Sequence, residues 1–548
     1  MLALAAAASV LSFRTIYEPD LGWHLAQGRE DVAGRLVRTN VFSAPFADYR
    51  QHYTSWLFDA GIYAAWRAGG DTAVQALQAA LLAAMFFALY RACRVRAGVA
   101  PAIAVSILAF LVVEPRAMPR PHVMSFAAFA VVAWLIERAR ASQRSAPLMW
   151  AIPLAAVWSN AHTESVFGVL MLGAFAAAEF AWPSALTRRE SVRALGITAA
   201  GAAALLLNPY GWGLFAYLYE NATVPGLLGI AELQPAYLPV YRAFFAYVAI
   251  AALLLAIGWR RATLADVAAL VIFAALGARY LRLTPLVVFA TAPILALRLT
   301  EWTRRGLDSR ALVVTAAAAA IVLSRVPLPA LVRGVAAGTV HPPSVFSPSA
   351  DRFIRDEQLT GPVFNSHNLG GWLAWTQYPD VRIFQDSRLQ AYPPEHFRRI
   401  LDASRSQAAW DDLLEGIDWA VLSRARENIL SGAGRFPVNA WASVFFDDAI
   451  EIVVRRDGRY AELASERGYE ILSSETELYD LAPRLRDGDR SRLRMEAERN
   501  RAQNPEGFTA AAILCLEGEE DACDAAERIA GRWPALQDDL ALLRVLKQ

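Results

Sequence analysis

The chain has 548 residues, of which 56% are hydrophobic and 19% are charged, and its formal net charge is +1. Soluble domains carry roughly a quarter charged residues, so this chain has too little polar surface for a soluble protein. The near-neutral charge argues against a nucleic-acid partner, which requires a strongly basic face. The composition therefore indicates an integral membrane protein.

Long apolar runs occupy the part of the chain that precedes Pro327, and they include residues 73–90, 166–180, 194–207 and 311–324. With their uncharged neighbours, several approach the roughly 20 residues that cross the hydrocarbon core of a bilayer. The first run, "MLALAAAASVLSF", lacks the basic start and the cleavage site of a signal peptide. We expect it to be a retained, short transmembrane helix.

Arginine residues fall in every second predicted loop, at Arg91, Arg94, Arg96, Arg138, Arg140, Arg144, Arg188, Arg189, Arg193, Arg260, Arg261, Arg304, Arg305 and Arg310. Short cytoplasmic loops are enriched in Lys and Arg. The pattern thus predicts about 11 transmembrane helices, a cytoplasmic N-terminus and an extracytoplasmic C-terminal part. Low Lys beside high Arg and Ala indicates a GC-rich bacterial source. We expect a multi-pass protein of the bacterial cytoplasmic (inner) membrane.

The predicted transmembrane domain covers residues 1–327, and its first outer loop covers residues 17–71 and begins with "YEPDLGWHLAQGRE". Apolar side chains recur there at helical spacing, at Leu21, Leu25, Gly28, Val32 and Leu36. This pattern is typical of an amphipathic helix that lies on the membrane surface. Asp20 stands at the start of that helix. Since Asp is a preferred N-cap residue, the local sequence leaves open whether Asp20 caps the helix or takes part in chemistry.

Three polar residues, Asn160, His162 and Glu164, lie in the middle of a long apolar stretch. Polar groups near the membrane are costly to bury and usually mark a functional cavity. We therefore expect these three residues to lie at a substrate-binding site on the outer face.

Charged residues of both signs lie in the predicted outer loops: the arginines are Arg116, Arg120, Arg279 and Arg282, and the acids are Glu18, Asp20 and Glu164. Guanidinium groups match the oxygens of a phosphate, and a carboxylate can accept the proton of an incoming hydroxyl. This combination is typical of a site for a phosphorylated lipid donor.

From about His341 the sequence becomes typical of a soluble domain. Short strands are predicted at residues 361–365, 381–386, 418–423, 442–448 and 451–456, with helices at 394–404 and 409–415. This alternation predicts an extracytoplasmic α/β domain over residues 341–460, followed by a helical, repeat-like tail over residues 461–548. Cys515 and Cys523 flank a turn in that tail. They either form a disulfide across a helical hairpin or remain unpaired.

Several segments up to about Arg456 carry a family resemblance: "DLGWHLAQGR" (Asp20–Arg29), "NVFSAPF" (Asn40–Phe46), "WLF" (Trp56–Phe58), "RPH" (Arg120–His122), "WSNAH" (Trp158–His162), "NPYG" (Asn208–Gly211), "ARYLRLTP" (Ala278–Pro285) and "GGWLAW…YPDVRIFQDSRLQAY" (Gly370–Tyr392). With these segments the chain resembles the GT-C glycosyltransferase superfamily, and in particular its poorly characterised bacterial multi-span members. These enzymes take sugars from polyprenyl-phosphate carriers on the outer face of the membrane.

The resemblance implies roles for the residues singled out above. The catalytic carboxylate of the superfamily lies in the first outer loop, which here implies Asp20, with Glu18 as the neighbouring acid. Binding of the sugar is expected from Trp23, His24, Asn160, His162 and Glu164, and binding of the lipid phosphate from Arg116, Arg120, Arg279 and Arg282. The implied donor is a polyprenyl-phosphate-linked sugar, and the acceptor is a glycan, a lipid or a protein.

The sequence leaves the metal dependence and the function of the chain open. Asn40 and Ser55 stand where the family often has an acid, and the sequence has no HExxH or CxxC motif, so a divalent metal has no clear ligands. The alternative function is a non-catalytic membrane scaffold, or a partner-binding subunit of a cell-envelope assembly, with a protein partner at the C-terminal domain.

In "FQDSR", Asp386 and Arg388 are predicted to form an ion pair that holds a turn at a strand end.

Overall fold

The computed structural model describes residues 12, 18–51, 53–223, 231–238, 241–323, 346–423, 435–473, 476, 478, 489–532 and 536–547. The chain divides into two compact units. The helical unit consists of Met1–Ile16, Gln27–Arg38 and Gln51–Val340, and the sheet unit consists of Tyr17–Ala26, Thr39–Arg50 and His341–Gln548. The predicted first transmembrane helix lies outside the described residues, apart from Ser12.

The helix Leu21–Val32 begins in the segment that belongs to the sheet unit and ends in the segment that belongs to the helical unit. The further α-helices of the helical unit are Trp56–Arg94, Val99–Val113, His122–Ser142, Ala151–Ser159, Ser165–Ala181, Arg188–Ala204, Gly213–Thr223, Arg242–Ile257, Leu264–Arg279, Leu286–Thr303 and Ser309–Leu323. Short 3-10 turns lie at Glu114–Arg116, Ala146–Trp150, Ala231–Leu233, Trp259–Arg261 and Leu281–Leu283.

Within the described residues, four helical segments are long and apolar enough to cross a membrane: Trp56–Arg94, Val99–Arg116, His122–Ser142 and Leu281–Thr303. These segments agree with the prediction of a membrane protein. The predicted number of about 11 spans is not confirmed, because other apolar helices, such as Ser165–Ala181 and Arg242–Ile257, are shorter. The orientation of the spans stays a prediction.

The long helix Trp56–Arg94 is broken by a kink at Gly69 and Gly70. Gly70 has a φ of 59°, in the left-handed region that favours glycine. The kink falls where the sequence analysis places the end of the first outer loop, at about residue 71.

The core of the helical unit contains a group of stacked aromatic rings. The ring of Phe289 stacks on those of Phe126 and Phe129, at centroid distances of 5.7 and 6.0 Å. Trp158 meets Phe129 edge-on at 4.7 Å and lies so close to Gly168 that a Cβ there would come within 2.2 Å of the indole. This close approach fixes the loop that carries residues 160–164.

The sheet unit contains five strands: β1 (Gly361–Asn365), β2 (Val381–Ile383), β3 (Trp419–Ser423), β4 (Trp441–Phe446) and β5 (Ile450–Arg455). Their order is β2-β1-β3-β5-β4. β1 is parallel to both β2 and β3, whereas β5 is antiparallel to β3 and β4. All five predicted strands are therefore confirmed.

Part of the first predicted outer loop pairs with this sheet. Ile383 in β2 donates its backbone N–H to the carbonyl of Phe42 (2.9 Å), and Ala44 donates to the carbonyl of Ile383 (2.8 Å). Phe42 is fully buried in the core of the sheet unit. The segment covers the edge of β2, which would otherwise expose unpaired backbone groups.

The remaining helices of the sheet unit are Pro348–Asp356, Gly370–Thr376, Pro394–Ala403, Gln407–Leu413, Ala461–Arg467, Arg490–Gln503, Phe508–Leu516, Glu520–Arg532 and Gln537–Lys547. The last five lie within residues 461–548, the predicted helical tail, and the last four of them share a hydrophobic core with Phe446 and Tyr469. Cys515 and Cys523 form a disulfide with their Cα atoms 4.6 Å apart, which is one of the two alternatives left open by the sequence.

Candidate functional site

Asp20 lies directly before the helix Leu21–Val32 and is half-buried. Its carboxylate oxygen Oδ1 accepts a short hydrogen bond from the hydroxyl of Ser387. The indole N–H of Trp23 donates to the same hydroxyl oxygen at 3.1 Å. Asp20 is thus bound by a residue 367 positions away in the sequence, so its role is not limited to capping its own helix.

The neighbours of Asp20 in the first loop are buried. Glu18 is fully buried, and its Oε1 accepts the backbone N–H of Asp20 at 3.0 Å. Trp23 and His24 are 6% and 1% exposed, and their ring centroids lie 3.7 Å apart. The predicted contact of both rings with a sugar stays a prediction. The contact that the indole of Trp23 makes with Ser387 links the first loop to the segment after β2.

Close backbone contacts hold the first loop on the helix Gly370–Thr376. A Cβ at Gly22 would lie 2.5 Å from the backbone carbonyl of Gly371, and a Cβ at Gly371 would lie 2.7 Å from the carbonyl oxygen of Pro19. Both distances are too short for any side chain. Gly22 and Gly371 are therefore required by the packing that holds the start of the first loop, next to Asp20.

Replacing Gly22 with Ala is expected to destabilise the sheet unit by about 1–3 kcal/mol, because the backbone must shift to accept the methyl group. The measurement is the free energy of unfolding, or the melting temperature, of the purified full chain. Gly61→Ala is the matched control, since a Cβ at Gly61 meets no atom within 4 Å. Equal stability of the two variants would contradict the close packing of the loop.

Beside this site lies a fully buried ion pair. Nη2 of Arg388 is 2.6 Å from Oδ2 of Asp386 and donates to Oδ1 of Asn40 at 2.9 Å, and both charged side chains are 0% exposed. The predicted Asp–Arg turn is confirmed. Asn40 also donates its Nδ2 to the carbonyl oxygen of Ala391 at 2.9 Å. A carboxylate could not make that bond, which gives a physical reason for Asn at a position where the family often has an acid.

Sequence reasoning missed Ser387 and His367. Both follow parallel strands, since His367 comes after β1 and Ser387 after β2. Parallel sheets bind ligands at the carboxyl ends of their strands, where neighbouring connections diverge, and β1 lies between β2 and β3. Burial lowers the pKa of His367, and the negative charges of Asp386 and Asp20 act against this effect. We name Asp20, Trp23, His24, His367 and Ser387 the strand-end site.

The polar residues of "WSNAHTES" form a separate network in the helical unit. Trp158 donates its indole N–H to the hydroxyl of Ser125 (2.8 Å), which lies 2.8 Å from Nδ1 of His162. That nitrogen is 3.4 Å from Oε2 of the buried Glu164. Burial would raise the pKa of Glu164, but His162, Arg282 and Arg116 together lower it.

Asn160 has a different environment from His162 and Glu164. Its Oδ1 accepts the indole N–H of Trp56 at 2.8 Å, and its Nδ2 donates to the carbonyl oxygens of Ala156 (2.7 Å) and Leu207 (2.8 Å). These bonds use both donors of the amide, so Asn160 ties three segments of the helical unit together.

Three of the four predicted phosphate-binding arginines lie close to one acid, Glu232. Nη1 of Arg116 and Nη1 of Arg120 contact the same oxygen, Oε1 of Glu232, at 2.5 and 2.9 Å. Burial would raise the pKa of Glu232, but Arg116, Arg120 and Arg282 hold it well below its usual range. Sequence reasoning assigned no role to Glu232. We name Arg116, Arg120, Arg282 and Glu232 the arginine cluster.

Arg279, the fourth predicted arginine, is exposed, and its guanidinium lies 4.6 Å from the ring centroid of Tyr280. The described residues contain no group of three or more His, Cys, Asp or Glu side chains that could hold a metal ion.

Asp31, which lies in the predicted first outer loop, is expected to make the free energy of unfolding depend on pH. Burial, to which Glu30 adds, raises the pKa of Asp31 from 3.8 to about 7. Between those values the folded chain binds more protons than the unfolded chain, so the free energy of unfolding falls as the pH rises. Asp31→Asn is expected to raise the melting temperature by about 2–4 °C at about pH 8 and to leave it unchanged near pH 4. An equal shift at both pH values would contradict this assignment.

Comparison with known proteins finds similarity in structure alone, since neither the protein-family models nor the curated proteins match the sequence. The apo oligosaccharyltransferase of Archaeoglobus fulgidus aligns over 77% of this chain and 69% of its own, with 12% identity and a TM-score of 0.53. Its complex with an inhibitory peptide and a dolichol-phosphate aligns over the same shares, with 12% identity and a TM-score of 0.51. ArnT from Cupriavidus metallidurans, in the apo state, covers 84% of this chain and 98% of its own at 15% identity, but its TM-score of 0.47 is too low to support an argument.

Both aligned structures are described as oligosaccharyltransferases, and the alignment covers most of both chains. At 12% identity the similarity concerns the fold. The chain therefore shares its fold with this oligosaccharyltransferase, which agrees with the resemblance stated from the sequence motifs.

Proposed function

We propose that this chain is a membrane glycosyltransferase that moves a sugar from a polyprenyl-phosphate carrier to an acceptor on the extracytoplasmic face of the bacterial inner membrane. The observation that carries the proposal is the carboxylate of Asp20, bound by Ser387, in a fold shared with an oligosaccharyltransferase. A structure of that transferase holds a dolichol-phosphate and a peptide, which favours a lipid-phosphate donor for this chain too.

In the proposed reaction, Asp20 accepts the proton of the acceptor group as that group attacks the anomeric carbon of the sugar. The bond from the anomeric carbon to the phosphate oxygen breaks, and the configuration at this carbon inverts. A positioned base of this kind contributes roughly 10²- to 10⁴-fold to the rate. Ser387 and Trp23 position the carboxylate, because the indole N–H fixes the hydroxyl that donates to Asp20.

The polyprenyl phosphate that leaves carries the negative charge that develops as the bond breaks. Arginine side chains stabilise such charge through paired N–H donors. Arg116, Arg120 and Arg282 supply three positive charges near Glu232 and Glu164, and we assign them to the lipid phosphate. The exposed Arg279 is assigned to the headgroup surface. His162 and Glu164 are assigned to the sugar, and Trp23 and His24 to positioning of the catalytic loop.

The proposal is tested with the purified full chain in proteoliposomes, supplied with a panel of synthetic polyprenyl-phosphate hexoses and pentoses and a mixture of candidate acceptors. The expected result is release of free polyprenyl phosphate from one donor, in a reaction that requires an acceptor. A folded protein that consumes no donor would favour the alternative, a non-catalytic membrane scaffold whose sheet unit binds a protein partner.

A further inference from the structure

The carboxylate of Glu232 is surrounded by positively charged side chains. One carboxylate oxygen receives both Arg116 and Arg120, and Arg282 adds a third positive charge nearby. The side chain of Arg116 is only 5% exposed. Leaving a buried guanidinium without an anion is strongly destabilising, so a negatively charged group at this position stabilises the cluster.

The carboxylate of Glu232 is the more exposed member of the pairs, at 29% against 5% for Arg116 and 18% for Arg120. It belongs to the short 3-10 turn Ala231–Leu233 and not to a long helix. The carboxylate therefore approaches the arginines from the more accessible side. Because Glu232 is the most exposed of the three side chains, we expect its carboxylate to be displaced more readily than the buried guanidinium of Arg116.

Charge also limits what can occupy this position. With Glu232 in place, three arginines face two carboxylates, those of Glu232 and Glu164. When Glu232 is withdrawn, the surplus of positive charge rises from one to two. A phosphate monoester carries about −1.5 to −2 charges at pH 7, and arginine binds carboxylate and phosphate with the same geometry.

We infer that Glu232 is an internal substitute for a phosphate group: its carboxylate occupies the anion site of Arg116 and Arg120 in the ligand-free protein, and a phosphate ligand displaces it. This inference rests on the proposed function, since it takes the phosphate of the lipid as the ligand. Glu232 then lowers the affinity for every phosphate ligand. Its return to the arginines promotes release of the lipid phosphate that remains after transfer.

The test uses Glu232→Gln in the full chain, purified in detergent, with farnesyl phosphate, inorganic phosphate and farnesol as probes. Because the variant removes a competing anion, we expect its Kd for farnesyl phosphate to be at least about tenfold lower than that of the wild type, which corresponds to about 1.4 kcal/mol. Farnesol, which lacks the phosphate, is expected to bind both proteins equally. If inorganic phosphate gains affinity as well, the site recognises phosphate alone, whereas a gain only with farnesyl phosphate identifies a lipid headgroup.

The matched control is Glu301→Gln. Glu301 is also bound by two arginines, Arg261 (3.1 Å) and Arg298 (3.4 Å), and has a similar exposure of 25%, but it lies outside the arginine cluster. Its Kd values are expected to equal those of the wild type. If Glu232→Gln does not fold, Glu232→Asp, whose side chain is one methylene shorter, is expected to give an intermediate gain.

An unchanged or weaker affinity of the Glu232 variants would overturn the inference, because Glu232 would then serve to hold the arginines in place. Sugar transfer is measured in parallel. If the wild type transfers sugar but the Glu232 variants gain no affinity, the inference fails and the proposed function stands. If the wild type neither binds farnesyl phosphate nor transfers sugar, both fail.

Discussion

Asp20→Asn is expected to reduce the rate of sugar transfer by roughly 10²- to 10⁴-fold, because the amide cannot accept the proton of the acceptor. The fold is expected to remain, since the amide oxygen of Asn can still accept the hydrogen bond from Ser387. The measurement is the rate of polyprenyl phosphate release in proteoliposomes, together with the melting temperature of the purified variant.

The matched control for this prediction is Asp48→Asn. Asp48 is an exposed acid of the first loop, and it belongs to the sheet unit as Asp20 does. Its variant is expected to transfer sugar at the wild-type rate. Full activity of Asp20→Asn would show that the proton acceptor is another group, and half-buried His367 would then be the next residue to test.

Arg388→Met is expected to destabilise the sheet unit by about 3–5 kcal/mol, because it leaves the carboxylate of Asp386 buried without its cation. Asp386 and Arg388 are both 0% exposed, so water cannot replace the lost partner. The bond from Arg388 to Asn40 in the first loop is lost as well. The measurement is the free energy of unfolding, with the yield of folded protein as a second indicator.

Arg405→Met is the control for this second prediction. Arg405 pairs with Asp402 at 3.2 Å on the surface, where the two side chains are 78% and 59% exposed. Exposed pairs contribute about 0–1 kcal/mol, so this variant is expected to remain close to the wild type. The double variant Asp386→Leu/Arg388→Met is expected to recover part of the stability, since it removes both buried charges. Equal stability of the two single variants would contradict the structural role of the buried pair.

Local patterns predicted the secondary structure of the sheet unit well. Short segments of strand-forming residues between turns identified all five strands. This pattern is visible in the sequence because it extends over only a few neighbouring residues. The turn held by Asp386 and Arg388 was likewise predicted from adjacent residues and is confirmed. The number of transmembrane helices was harder to predict. An apolar run in the sequence shows only the composition of a segment. The length of the helix that it forms also depends on the neighbouring segments at which the helix ends.

The partners of the candidate site residues could not be predicted from local patterns. Ser387 is 367 positions from Asp20, and Glu232 is 116 positions from Arg116. Neither periodicity nor spacing carries information on contacts of that range. "FQDSR" stood out as a polar segment, but only the folded chain shows that its Ser387 contacts Asp20. Trp23 and His24 were expected to contact the sugar; both are buried, and we propose a positioning role for them.

The most direct test of the central claim uses the lipids themselves. The purified full chain is incubated with a lipid extract of bacterial membranes and an acceptor-containing envelope fraction, and the polyprenyl-phosphate-linked sugars are followed by mass spectrometry. The account predicts that one of these lipids loses its sugar and accumulates as polyprenyl phosphate with the wild type, and that it persists with Asp20→Asn. A lipid pool that stays unchanged in the presence of the folded wild-type protein would contradict the proposed glycosyltransferase activity.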